Sequence, residues 1–185
     1  MRLFLAAALM LASTTAWAQQ NPPSPNPPSP NPPTLAPALA PLGFLLGDWS
    51  GGGNTADGGT ARGTSIIQAV AGGGGLLRRD HTDLMGKDGK PVPGAGFDQI
   101  MLIYPQDGTL HADYLDGQHT IHYTSAQVTA GESVTFLADA TPATPGFRLG
   151  YTRLGATTLH VKFEMLPPGA PGYMTVAEGD VKRRK

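Results

Sequence analysis

The chain has 185 residues, 40% of them apolar and only 15% charged, which is enough for one globular domain and its core with a tail to spare. A formal net charge of -1 argues against an electrostatic nucleic-acid binder. The absence of cysteine excludes a disulfide framework, a thiolate zinc site, an iron–sulfur cluster, a thiol nucleophile and a lipoprotein anchor, while 25 glycines and 18 prolines suit a turn-rich β protein.

Arg2 supplies a positive start, Leu3–Ala12 a short apolar run, and Ala16-Trp17-Ala18 a small-x-small cleavage site. Residues 1–18 therefore read as a secretory signal peptide, with a mature chain starting at Gln19 and a periplasmic or secreted location. The apolar run is about half the roughly 20 residues a membrane helix needs, and no later stretch is long enough to span. Residues 19–35 form a proline-rich spacer built on NPPSPNPPSPNPPT. Proline fixes φ and removes the amide donor, so this segment cannot join a helix or a central strand and should sample polyproline II. All 14 acidic residues and all 25 glycines lie beyond Leu42, and the folded domain is placed at residues 36–185.

Ala36–Leu46 is apolar with prolines at 37 and 41 and predicts one short helical turn. From Trp49 onward, alternating runs punctuated by glycine, asparagine and aspartate predict consecutive hairpins. Strands are expected near 48–54, 61–70, 75–84, 97–104, 109–116, 118–127, 132–139, 146–154, 157–165 and 173–183. No stretch has a long helical period, so the class is all-β, and about ten short strands imply a closed barrel or a sandwich.

The clearest hairpin turns at Asp116-Gly117, a preferred type I′ pair. A two-residue loop would set Tyr114 opposite His119, Ala112 opposite Ile121, His111 opposite His122 and Leu110 opposite Tyr123. Leu110, Ala112, Tyr114, His119, Ile121 and Tyr123 would then share the interior face, with His111, Asp113, Thr120 and His122 outside. Leu159, Val161 and Phe163 alternate on a later strand and should also face inward.

The opening PLGFLLGDWSGGG (Pro41–Gly53) resembles the first strand of calycin-like barrels, where a Gly-x-Trp closes one end; here these are Gly47, Asp48 and Trp49. The Phe-Leu-x-Gly-x-Trp pattern is also similar to nitrobindin-like proteins and to an uncharacterised bacterial family. The segments MLIYPQDGTLHADYLDGQHTIHY and LHVKFEMLPPGAPGYMTVAEGDVKRR look like that bacterial family too. The resemblance implies an up-and-down antiparallel β-barrel of about 8–10 strands with a lumen, closed by Gly47 and Trp49, and no particular reaction.

Nitrobindin-like barrels bind haem through a histidine near the C-terminal end, but Gly172–Lys185 contains none, and His119 is the remaining candidate. A partly buried structural histidine is the alternative role for it. His111, Asp113 and His122 can make a metal site or simply a polar outer face. A fatty-acid role would need a cation in the lumen. Arg78 or Arg79 would supply one, since one faces each way, or Arg153 in Tyr151-Thr152-Arg153, where alternation puts both end residues on one face. No nucleophile elbow or phosphate loop occurs. The terminal KRRK reads as a solvated tail.

The functional expectation is an exported lipocalin-like barrel binding a small apolar molecule. Tyr114, His119, Ile121, Tyr123 and Phe163 are the ligand contacts, Gly47 and Trp49 the closure, with no metal, no nucleic-acid partner and no membrane span. The alternatives are a haem-binding or small enzymatic barrel, or an interaction module with a filled core. Oligomeric state is left open.

Overall fold

A computed structural model of the chain describes residues 34–185. The expected signal peptide and all of the spacer up to residue 33 lie outside the described residues. Eleven antiparallel strands follow: β1 (Gly47–Thr55), β2 (Thr60–Val70), β3 (Gly75–Met85), β4 (Phe97–Gln106), β5 (Thr109–Leu115), β6 (Thr120–Tyr123), β7 (Ser125–Thr129), β8 (Ser133–Ala138), β9 (Gly146–Arg153), β10 (Thr158–Leu166) and β11 (Met174–Arg183). They form one sheet in the order β6-β5-β4-β3-β2-β1-β11-β10-β9-β8-β7. Apart from the β1–β11 pairing, each ladder joins strands adjacent in sequence, so the sheet is a meander rolled into a nearly closed up-and-down barrel.

The count exceeds the expected ten because the strand expected at 118–127 is two. β6 pairs with β5; Thr124 N then donates to Leu137 O at 3.0 Å, and β7 pairs with β8. The chain thus changes partner across the gap where the sheet's two edges meet. Alternation slips there: Ile121 and Tyr123 are buried, whereas Ala126, opposite the buried Phe136, packs on the core next. One residue too many separates Tyr123 from Ala126 for a single unbroken strand.

The hairpin register also differs from expectation. Tyr114 pairs with Ile121 and Asp113 with His122, leaving a four-residue loop, Asp116–His119. The Asp116 carboxylate builds this loop by accepting from Gln118 N at 2.9 Å and His119 N at 2.6 Å, a side-chain turn that outcompetes the two-residue alternative. The shift is two residues, an even number, so the strand faces survive; His119 alone leaves the ladder.

One end of the barrel is plugged. Ala40–Leu45 is a 3-10 helix with Pro41 in its first turn. At three residues per turn, Leu39, Leu42 and Leu45 fall on one side, and all three are fully buried. The plug is tied to the barrel's loops: Ala36 N donates to Gly73 O and Gly131 N to Pro41 O, both at 3.0 Å. Leu35, at the end of the expected spacer, packs against the core as well.

Candidate functional site

The plug leaves the opposite end of the barrel open, and a cavity of about 630 Å³ occupies that half. Its shape follows from side-chain size. Along β1, β2 and β11 the inward positions include Gly51, Gly53, Ala61, Gly63, Ala177 and Gly179, which fill almost no space, beside the larger Trp49, Ile67 and Val181. Gly53 and Gly179 are cross-strand partners. A Cβ on Gly53 would collide with the Glu178 carbonyl, and one on Gly179 with the Gly52 carbonyl. Glycine is therefore required for the two backbones to approach this closely. Part-way round the barrel, Tyr114, Tyr123, Leu149, Tyr151 and Phe163 present large rings and aliphatic surface to the same cavity.

The floor is organised by Arg78, a buried charged side chain 5% exposed. It projects inward from β3, and its Nη1 donates to the Tyr151 hydroxyl on β9, a strand that does not neighbour β3 in the sheet. The bond therefore crosses the lumen. Nη2 donates to Gln99 Oε1 at 3.2 Å on β4, and the guanidinium lies 5.8 Å from the centre of the Tyr114 ring. Asp80, two residues along β3 and on the same face, places Oδ2 2.9 Å from Arg78 Nε. That contact is an ion pair whose angle is too oblique for a hydrogen bond, and Asp80 Oδ1 is buried without any donor among the described residues. Burial acts to discharge Arg78, but the Asp80 charge and the Tyr151 hydroxyl outweigh it and hold the guanidinium protonated. Burial is also the main cause that pushes Tyr114, Tyr123 and Tyr151 above the ordinary tyrosine value, so all three stay neutral hydroxyls.

Of the residues expected at the site, Tyr114, Tyr123 and Phe163 line the cavity. Trp49 closes its plugged end: the indole Nε1 donates to Leu45 O at 2.8 Å and the Arg183 guanidinium lies 4.3 Å from the ring centre. Gly47 begins β1 at φ +127°, a left-handed-side backbone, with the Arg183 guanidinium where a Cβ would stand. Arg183 in turn donates to Leu46 O at 2.6 Å. Ile121 is buried but does not line the cavity. His119 is displaced from the interior face to the loop at the rim; its side chain is 70% exposed and its Nδ1 lies 3.1 Å from Asp116 Oδ2. The other oxygen of Asp116 holds the loop, and these amide donors keep its carboxyl below the ordinary value in spite of partial burial.

Between the two arginines that sequence alternation left open, the inward one is Arg78; Arg79 is exposed. Arg153 is exposed beyond the barrel end, donating to Gly155 O and Gly131 O, while Tyr151 is buried in the lumen. The outer-face trio is an aspartate–histidine pair rather than a converging ligand set. His122 Nδ1 lies 2.6 Å from Asp113 Oδ1, Tyr104 donates to Asp113 Oδ2 at 2.9 Å, and the His111 and His122 rings stack at 5.7 Å. Asp113, not His111, is the partner opposite His122. Among the described residues no cluster of three histidines or carboxylates is placed to hold a metal. Asp80, Gln99 and the Arg78–Tyr151 bond were not anticipated. Alternation put Arg78 on one face, but no sequence signal links β3 to β9.

No family model and no curated protein matches the chain, so the bacterial family suggested by the Phe44–Trp49 pattern has no support. Among solved structures similar at low identity are three β-barrels. One is EF1p2_mFAP2b bound to DFHBI (TM-score 0.44, 10% identity, covering 80% of this chain and 99% of that one). The redesigned β-barrel b11L5F_LGL scores 0.41 at 12% identity, covering 81% and 99%. A fluorescence-activating β-barrel designed de novo scores 0.41 at 11% identity, covering 80% and 98%. Likeness at this level bears on neither ligand nor activity.

Proposed function

We propose that the chain is an exported, calycin-like carrier that takes up a small, largely apolar molecule through the open end of its barrel. The observation that carries this is the cavity of about 630 Å³. Its size lies within the roughly 300–1,000 Å³ usual for small-molecule sites, and it joins apolar walls to a few convergent polar groups, which is the usual balance in such sites. A filled interaction module would have no use for a wall of glycines beside a ring of tyrosines. The haem that a nitrobindin-like barrel would hold does not fit well here. Among the described residues His119 is the one histidine at the cavity, and it stands on an exposed rim loop, tied to Asp116. Export rests on Arg2, the Leu3–Ala12 run and Ala16-Trp17-Ala18.

The test is to recover the chain from the exported fraction, with an intact mass matching a start at Gln19, and titrate it with the neutral dye Nile red. Saturable uptake at micromolar dye is expected, weakened by Leu149→Trp, which fills the lumen, and unchanged by His111→Ala on the outer face. Absence of uptake, or equal uptake by the filled variant, defeats the reading.

A further inference from the structure

We infer that the lumen reads a neutral head group that both donates and accepts a hydrogen bond, a hydroxyl or a primary amide, in preference to a carboxylate. The inference rests on the lumen-binding reading above and assigns the chemistry of its floor.

The first ground is charge. The two ionic side chains at the floor, Arg78 and Asp80, are an ion pair and cancel. Of the other ionised side chains around the cavity, Asp57 and Asp116 stand on loops at its rim and are both negative, while Arg62 and Glu178 alternate to the outer face, where Glu178 pairs with Lys162 and His160. A carboxylate entering this space would meet Arg78 only in the company of Asp80, and would leave the lumen with uncompensated negative charge in a poorly hydrated site.

The second ground is unmet hydrogen bonding. Among the described residues Asp80 Oδ1 is a buried acceptor with no donor, and Arg78 Nε–H is a buried donor whose only near acceptor is badly angled. Arg78 is nine-tenths buried and both residues line the cavity. Tyr151, which accepts from Arg78, keeps its own proton to give. A donor and an acceptor left open side by side are complemented by one group carrying both functions. A hydroxyl or primary amide does so. An ester or ether supplies only the acceptor, and a carboxylate sets a second anion against Asp80. The upward push of burial on Tyr114 and Tyr123 has the same origin, since this environment resists negative charge.

Displacement of Nile red from the purified chain at pH 7.5 by decan-1-ol, decanamide, methyl decanoate and decanoate separates these possibilities. The alcohol and the amide are expected to displace the dye at about tenfold lower concentration than the ester or the acid, the factor that one well-placed buried hydrogen bond supplies. In Asp80→Asn the Arg78 charge is no longer cancelled, so decanoate should gain about tenfold on decan-1-ol. The ranking on the unaltered protein decides the matter should that variant fail to fold. Equal displacement by all four compounds, or decanoate in first place, overturns the head-group assignment and leaves the lumen reading standing. Failure of the dye to bind at all removes both.

Discussion

Arg78 shows how much one residue can organise. A buried guanidinium is costly unless its charge is compensated, and here the Asp80 carboxylate balances the charge while Tyr151 and Gln99 accept from its two Nη groups, from three strands in all. Replacing Arg78 with methionine keeps most of the volume but strands the Asp80 carboxylate, whose side chain is 15% exposed. Arg78→Met is expected to lose about 3–5 kcal/mol in urea denaturation at pH 7, the usual consequence of breaking a buried pair from one side. The double variant Arg78→Met/Asp80→Asn should recover a large part of that loss, because no buried charge is then left alone. A single-variant loss below about 1 kcal/mol would show that water already solvates the pair.

At the scale of the element, the 3-10 helix and the start of β1 act as one unit. Leu39, Leu42 and Leu45 bury a threefold stripe, and Trp49 binds it back by its Nε1–Leu45 bond. Arg183, from the last strand, covers the indole and caps Leu46 O. Trp49 therefore joins the plug, the first strand and the last. Trp49→Ala should destabilise by about 3–5 kcal/mol, the range for aromatic truncation in a core. Trp49→Phe, which retains bulk and loses the hydrogen bond, should cost less. Thermal or urea unfolding of the two variants checks this, and a loss below about 1 kcal/mol for alanine would mean that the plug holds without the ring.

At the scale of the whole molecule, closure depends on pairing between the two ends of the domain. β1 lies between β2 and β11, so the strand completing the barrel is the last one made. Without β11, the edges of β1 and β10 would both stand open, and exposed edges template association. A chain ending at Pro171 is accordingly expected to show no cooperative thermal transition and to aggregate on size exclusion, while the full chain elutes as discrete species. A soluble, cooperatively melting truncation would show that β1–β10 form an independent unit. The other gap, between β6 and β7, needs no such partner, because the chain itself crosses it at Thr124.

Strand positions and faces were legible in the sequence because they depend on local alternation and on turn residues. The expected spans match β1, β2, β3, β5, β8, β9, β10 and β11 to within a residue at either end. The break at Thr124 was also written there, in the odd spacing from Tyr123 to Ala126, but continuous β propensity hid it. The loop at Asp116 is two residues longer than its Asp-Gly pair predicts, since a carboxylate accepting two backbone amides is a matter of three-dimensional geometry. Tyr114, Tyr123 and Phe163 could be assigned inward by parity alone, and Trp49 by the likeness of its Gly-x-Trp to a barrel-closing motif. That Arg78 bonds Tyr151 could not, because the two are 73 residues apart and meet only when the sheet closes. Alternation determines which side of a strand a residue occupies; only closure of the barrel decides which residue faces it across the lumen.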